Sequence, residues 1–162
     1  MGYGETNKCS ECGYEFRASY GIGMLFSTVY KDTVEKAKKG ELGEEIREFF
    51  EKNEDAAMDS EMIVLCCEEC GHLENKKDLT LYILDEKKRD EAEIGCSYLG
   101  IPKHKREYET HKDLVNCYIE VAKYPHKCEQ CGGKMKILRK NDELFCPRCK
   151  IPLMKNGWFL WD

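Results

Sequence analysis

Residues 126–150 read HKCEQCGGKMKILRKNDELFCPRCK and contain two Cys-x-x-Cys pairs, Cys128/Cys131 and Cys146/Cys149, with 14 residues between the inner cysteines. Each pair is a short turn that aims two sulfurs at one point, and two such turns complete a tetrahedral four-sulfur shell. The same turn occurs twice more, at Cys9/Cys12 and Cys67/Cys70, so eight thiols supply two shells for a thiophilic cation. Glycine follows three of the pairs, at Gly13, Gly71 and Gly132. That is where a metal-binding turn needs a positive φ, which costs glycine little. Zn²⁺ is the expected ion at both shells, and a closed set of four cysteines is the mark of a structural rather than a catalytic site.

Outward from this stretch, the alternating run Lys134-Met135-Lys136-Ile137-Leu138-Arg139 predicts a strand, with a turn at Asn141-Asp142. Asn156-Gly157, between Ile151-Pro152-Leu153-Met154 and Trp158-Phe159-Leu160-Trp161, predicts a second hairpin turn. The N-terminal half has the same parts spread out, with 54 residues between Cys12 and Cys67. Strands are expected at Met62–Leu65, entering the second turn, and at Leu79–Leu84, leaving it. Within the insertion between the first and second cysteine turns the pattern predicts a helical hairpin. One helix lies near 29–39, capped by Ser27 or Thr28, and the other near 41–53, with Leu42, Ile46, Phe49 and Phe50 on one face. Gly40 and Gly43 separate the two. Residues 86–109 are dominated by charge and read as a connector. A helix is expected from Thr110 to Lys123, with Leu114, Tyr118 and Val121 as its apolar stripe and Pro125 as its stop.

The chain has 162 residues, 41% of them hydrophobic and 35% charged, which supports a modest core, where bound metal helps most. Eleven cysteines would suit a disulfide framework only in an oxidising compartment. The odd number, the x-x spacing and the start MGYGETNKC, without an apolar signal segment, favour the cytoplasm instead. No segment is long and apolar enough to span a bilayer, and the loose myristoylation pattern at Met1–Thr6 lacks the second signal that anchoring needs. The formal charge is −5 and uneven: residues 123–162 carry nine Lys/Arg against four acids. An ion held by four thiolates adds −2, so part of this basic excess neutralises the metal site.

No nucleophile elbow, phosphate-cradling glycine loop or paired-histidine motif is present, and the chain is read as a non-enzyme. His72 and His126 flank the cysteine turns but eight sulfurs already suffice, while His104 and His111 are scattered. Cys66, Cys96 and Cys117 are left as unpaired thiols, with redox sensing at Cys96 the one active role considered. Two surfaces remain. Lys134, Lys136 and Arg139, with Phe145 or a tryptophan, form a candidate nucleic-acid contact. In the other, Trp158-Phe159-Leu160-Trp161 or the helical insertion serves a protein partner. Iron is the alternative ion, since four sulfurs also hold Fe for electron transfer.

Residues 126–162 resemble a zinc ribbon, and the Cys146-Pro147-Arg148-Cys149 turn resembles the rubredoxin knuckle. The spacing is shorter than the rubredoxin pattern, and Lys150 replaces its following glycine. The whole plan resembles the double zinc-ribbon proteins of bacterial genomes. The resemblance rests on Cys9-x-x-Cys12-Gly-Tyr-x-Phe, Cys67-x-x-Cys70-Gly-His, Tyr124-Pro125-His126-Lys127-Cys128-x-x-Cys131-Gly-Gly, Cys146-Pro-x-Cys149 and Leu160-Trp161-Asp162. It implies a fold but carries no reaction. The expected architecture is α+β with two small zinc-ribbon β units. Residues 1–85 form the first, with a helical insertion over about 27–55, residues 86–123 are a charged connector and helix, and 124–162 form the second. Four dyads can pair in three ways. The compactness of the second unit favours sequential pairing, the first dyad with the second and the third with the fourth. An interleaved arrangement would tie the two ends of the chain into one domain.

Overall fold

A computed structural model describes residues 2–94, 105 and 107–162. Cys96 and His104 lie outside the described residues. The class is α+β with small antiparallel sheets, as expected. The chain divides into two compact units, each built from separated segments. One takes Met1–Met24, Glu61–Lys77 and Pro125–Asp162, the other Leu25–Ser60 and Asp78–Tyr124. These units do not coincide with the sequence-order division at 85 and 124.

The first unit holds two three-stranded sheets of the same design. In one, β1 (Gly2–Lys8) is central between β2 (Glu15–Tyr20) and β9 (Met154–Trp161). In the other, β4 (Met62–Cys67) is central between β5 (Leu73–Lys77) and β8 (Met135–Leu138). In both, the first strand of a hairpin receives a late strand antiparallel on its free edge. The sheets are laced together. Asn75 accepts from the Ser19 N–H and donates to the Arg17 carbonyl, both at 2.8 Å, and Gly21 and Met62 exchange backbone hydrogen bonds. Ala18, Val64, Leu73, Leu138, Leu144 and Leu153 fill the core between them. β4 is buried on both faces, because Ile63 and Leu65 pack with Met135 on the side opposite Val64. Its near-continuous apolar sequence is what a strand covered twice requires.

The expected turn at Asn156-Gly157 is instead strand. β9 runs through both residues: Gly157 pairs with Thr6 and Lys155 with Asn7, and the register shift between them leaves Asn156 as the bulged residue. The loop that the dipeptide would make is overridden by the glycines of β1. Gly2 faces Trp161 and Gly4 faces Phe159, and a Cβ at either glycine would fall 2.2–2.3 Å from the ring opposite. The rings therefore fill the space that side chains at Gly2 and Gly4 would take, with the Arg17 guanidinium 4.3 Å above Phe159 and the Trp161 indole donating to the Tyr3 carbonyl at 3.2 Å.

In the second unit, β3 (Ala56–Met58), β6 (Leu81–Leu84) and β7 (Tyr118–Ala122) form a sheet in the order β3-β6-β7. One face packs on α1 (Phe26–Lys38) and α2 (Glu44–Lys52) through Ala37, Ile46, Phe50, Met58 and Leu81. The other packs on α3 (Arg89–Ile94) and α4 (His111–Cys117) through Tyr82, Leu84, Ala92, Leu114 and Cys117. The helical hairpin of the insertion is thus present, broken by Gly40 and Gly43 at φ 79° and 116°. Its first helix begins at Phe26 with no side-chain cap from Ser27 or Thr28. The connector is partly helical, with a 3-10 turn at Glu86–Lys88 before α3. Thr110 caps α4 in a reciprocal box with Asp113, but the helix stops at Cys117 rather than Lys123. Tyr118, Ile119 and Val121 favour extended backbone, and β7 pairs with β6. The strand expected at Leu79–Leu84 belongs to this unit too. Leu79, at φ 61°, and the Asp78–Thr80 hydrogen bond turn the chain away from β5.

Gly4→Val tests the close approach of β9. Valine suits a strand, yet here its branches would displace the Phe159 ring, and a loss of about 1–3 kcal/mol is expected in urea titration of the metal-loaded protein. Stability equal to the parent would contradict the packing.

Candidate metal centres

The four cysteine turns have one backbone design. The first cysteine's carbonyl accepts from the N–H four residues on (Gly13, Gly71, Gly132, Lys150), at 2.8–3.1 Å. Its own N–H donates to the carbonyl five residues on (Tyr14, His72, Gly133, Ile151), at 2.8–2.9 Å. The +4 residue has φ of 70°, 77° and 74° at the three glycines and 60° at Lys150. Lys150 adopts the left-handed conformation at a cost of roughly 1–2 kcal/mol. Its Nζ then reaches the Cys70 carbonyl at 2.9 Å, joining the fourth turn to the second. Within the turns, the N–H groups of Cys70 and Cys149 point at the sulfurs of Cys67 and Cys146, at 3.5 and 3.4 Å.

The eight sulfurs form two groups, but not in sequence order. Cys9 and Cys12 meet Cys146 and Cys149, while Cys67 and Cys70 meet Cys128 and Cys131. The expected sequential pairing is corrected: the first dyad joins the fourth and the second joins the third. The physical reason lies in the sheets. The β1–β2 hairpin presents its turn beside the arm ending in the Phe145↔Pro152 bridge, because β9 pairs on β1. The β4–β5 hairpin likewise faces the Lys127↔Lys134 arm, because β8 pairs on β4.

In each group the ligand atoms all lie within 4.8 Å of one another. The close pairs are Cys12–Cys146 at 3.6 Å, Cys67–Cys131 at 3.4 Å, Cys70–Cys128 at 3.7 Å and Cys70–Cys131 at 3.6 Å. A tetrahedron with metal–sulfur bonds of about 2.3 Å has edges of about 3.8 Å, so the residues fit a four-coordinate thiophilic ion. A disulfide would need about 2.05 Å, and all eight cysteines are free. Comparison with protein-family models, with curated proteins and with solved structures finds no match.

Crowding splits the acidities of these thiols. The Cys70 N–H above all holds Cys67 down, to about 7. Burial acts to raise Cys146, but the N–H groups of Cys149 and Arg148 outweigh it and bring that thiol also to about 7. The Gly133 N–H would lower Cys131, yet the adjoining Cys67 and Cys70 sulfurs push it up to about 12. The Cys12 sulfur, with burial, does the same to Cys149. A proton or a cation must sit among four such sulfurs, since four bare thiolates repel one another.

The other named residues are scattered around this frame. His72 lies 3.8 Å from Glu74 and His126 is buried beside the third turn, and neither joins a sulfur group. His111, in the second unit, sits with Nδ1 2.7 Å from the buried Asp59 carboxylate. Cys117 is fully buried, and burial pushes the half-buried Cys66 thiol up. Lys134 lies 3.9 Å from Glu68, Lys136 stands opposite Cys66, and Arg139 sits past β8 in a turn closed by Asp142. Sequence reasoning missed a cleft of about 470 Å³ that touches all four turns, lined by Tyr14, Cys70, His72, Gln130, Pro147 and Arg148. No local signal announces it, because its walls meet only through the nested pairing. None of the described helices is long and apolar enough to cross a membrane.

Two predictions test these centres. Removing Cys9 and Cys12, or Cys146 and Cys149, by serine substitution is expected to cost one and the same ion, and removing all four leaves the second ion in place. Loss of both ions from the fourfold variant, read by elemental analysis, would restore the sequential pairing. At pH 7, Cys131 and Cys149 hold their protons in the metal-free chain, so binding must expel them. Calorimetry in buffers of different ionisation enthalpy is expected to show net proton release per ion, growing as the pH falls from 8 to 6. Binding without proton release would contradict thiolate ligation.

Proposed function

We propose that the protein is a non-enzymatic, cytoplasmic interaction module of the zinc-ribbon type, in which both four-cysteine groups hold Zn²⁺ as structure. The observation that carries this reading is the closure of each shell by four protein sulfurs at tetrahedral spacing. A shell so filled leaves no position for water or substrate, unlike a catalytic zinc site. Cys9, Cys12, Cys146 and Cys149 would hold one ion, and Cys67, Cys70, Cys128 and Cys131 the other. Bound zinc fastens strands together and contributes on the order of 10 kcal/mol to a unit that lacks a preformed site when unfolded. A reducing compartment keeps the thiols available.

Charge supports a protein partner over nucleic acid. The first unit carries twelve Lys/Arg against eleven Asp/Glu, a formal +1, and two ions in thiolate shells at −2 each take it to −3. The second unit, with fourteen against twenty, stands at −6. Two lysines of residues 123–162 meet acids elsewhere in the first unit, Lys134 at Glu68 and Lys155 at Glu5. Exposed apolar side chains, Trp158 and Leu160 among them, are the surface left for recognition.

Metal analysis of untagged protein from its native host is the test. Two zinc ions in a colourless protein are expected, with chelation unfolding the first unit. A red, redox-active protein with iron in either shell would replace the reading with electron transfer, and DNA or RNA affinity that falls steeply with salt would replace it with nucleic-acid binding.

A further inference from the structure

We propose that the protein pairs with a second copy of itself through the outer edge of β9, joining two three-stranded sheets into one of six. This inference deepens the interaction reading above by naming the partner. β9 forms the edge of its sheet beyond β1. Proteins guard such an edge with free charges, prolines, extreme shortness or bulges. Here the one bulge, at Asn156, precedes a regular run, Gly157-Trp158-Phe159-Leu160-Trp161, that holds no charge and no proline. Trp158 and Leu160 stand 69% and 50% exposed on the same side of the strand.

The run is complementary to itself. An antiparallel pair with its two-fold axis at Phe159 sets Trp158 opposite Leu160 of the second copy, twice, as aromatic–aliphatic cross-strand contacts. It also sets Gly157 opposite Trp161 of the second copy. No side chain at Gly157 then crowds the Trp161 ring, which is already seated on Gly2 of its own chain. The flanking charges agree: Asp162, whose Oδ1 accepts from the Met24 N–H at 2.8 Å, falls opposite Asn156 and beside Lys155 of the other copy, whose ammonium also holds Glu5 at 2.8 Å, at both ends. In-register parallel pairing would instead set Lys155 against Lys155. An isologous interface of this kind closes on itself and stops at two copies.

Sedimentation velocity of the metal-loaded full chain over a wide concentration range tests the pairing. A monomer–dimer equilibrium is expected, with Leu160→Lys and Trp158→Lys each raising the dissociation constant by roughly thirtyfold. Asp162→Lys, which sets like charges beside Lys155, is expected to raise it about fivefold. Val121→Lys, on the exposed edge of the second unit's sheet, should leave it unchanged. Metal content of two ions in every variant separates loss of pairing from loss of the scaffold. A monomer at all concentrations would overturn the proposal, and so would a dimer that survives Leu160→Lys and Trp158→Lys or one abolished by Val121→Lys.

Discussion

Eight sulfurs must converge as two quartets, and the turns that supply each quartet lie far apart along the chain. Cys12 and Cys146 are 134 residues apart and Cys70 and Cys128 are 58 apart, yet each pair ends within 3.7 Å. One closure lies inside the other along the chain, since the turns at Cys67 and Cys131 both fall between Cys12 and Cys146. Loop-closure entropy grows slowly with length, and the outer closure costs only about 0.7 kcal/mol more than the inner. A coordinated ion far exceeds that difference. In sequence, the second unit's segments are Leu25–Ser60, between the first and second cysteine turns, and Asp78–Tyr124, between the second and third.

The outer closure also determines what the surface shows. Cys146 and Cys149 draw the last residues of the chain back to the first, and β9 settles on β1. There Gly2 and Gly4 leave room for Trp161 and Phe159. Alternation then turns Trp158 and Leu160 to the other side of the strand, on which the buried Glu5 is held by Lys155 and Tyr3, each at 2.8 Å. The metal sites and the aromatic edge are therefore one construction.

Local features were legible in the sequence. The glycines after three of the turns do take positive φ, α1 and α2 lie close to where their periodicity places them, and Thr110 opens a capped helix. The pairing of turns was not legible, because each Cys-x-x-Cys offers the same local chemistry and partnership depends on which strands later lie side by side. The compactness of 128–149 pointed to a self-contained ribbon, whereas its two turns serve different centres. Asn156-Gly157 misled for a related reason: its turn preference is worth less than a ladder with β1. The stripe Leu114, Tyr118 and Val121 fits a helix through residue 123, but β6 offers a sheet edge that no helical pattern announces. That Glu68 comes within 3.9 Å of Lys134 was likewise not legible, because the two adjoin strands whose pairing no local pattern announces.

The most direct test of the nested closure is a ¹¹³Cd–¹H correlation spectrum of the protein reconstituted with cadmium. Two cadmium signals are expected. One should couple to the β-protons of Cys9, Cys12, Cys146 and Cys149, the other to those of Cys67, Cys70, Cys128 and Cys131. A signal coupled to both Cys9 and Cys67, or to both Cys131 and Cys146, would contradict the account.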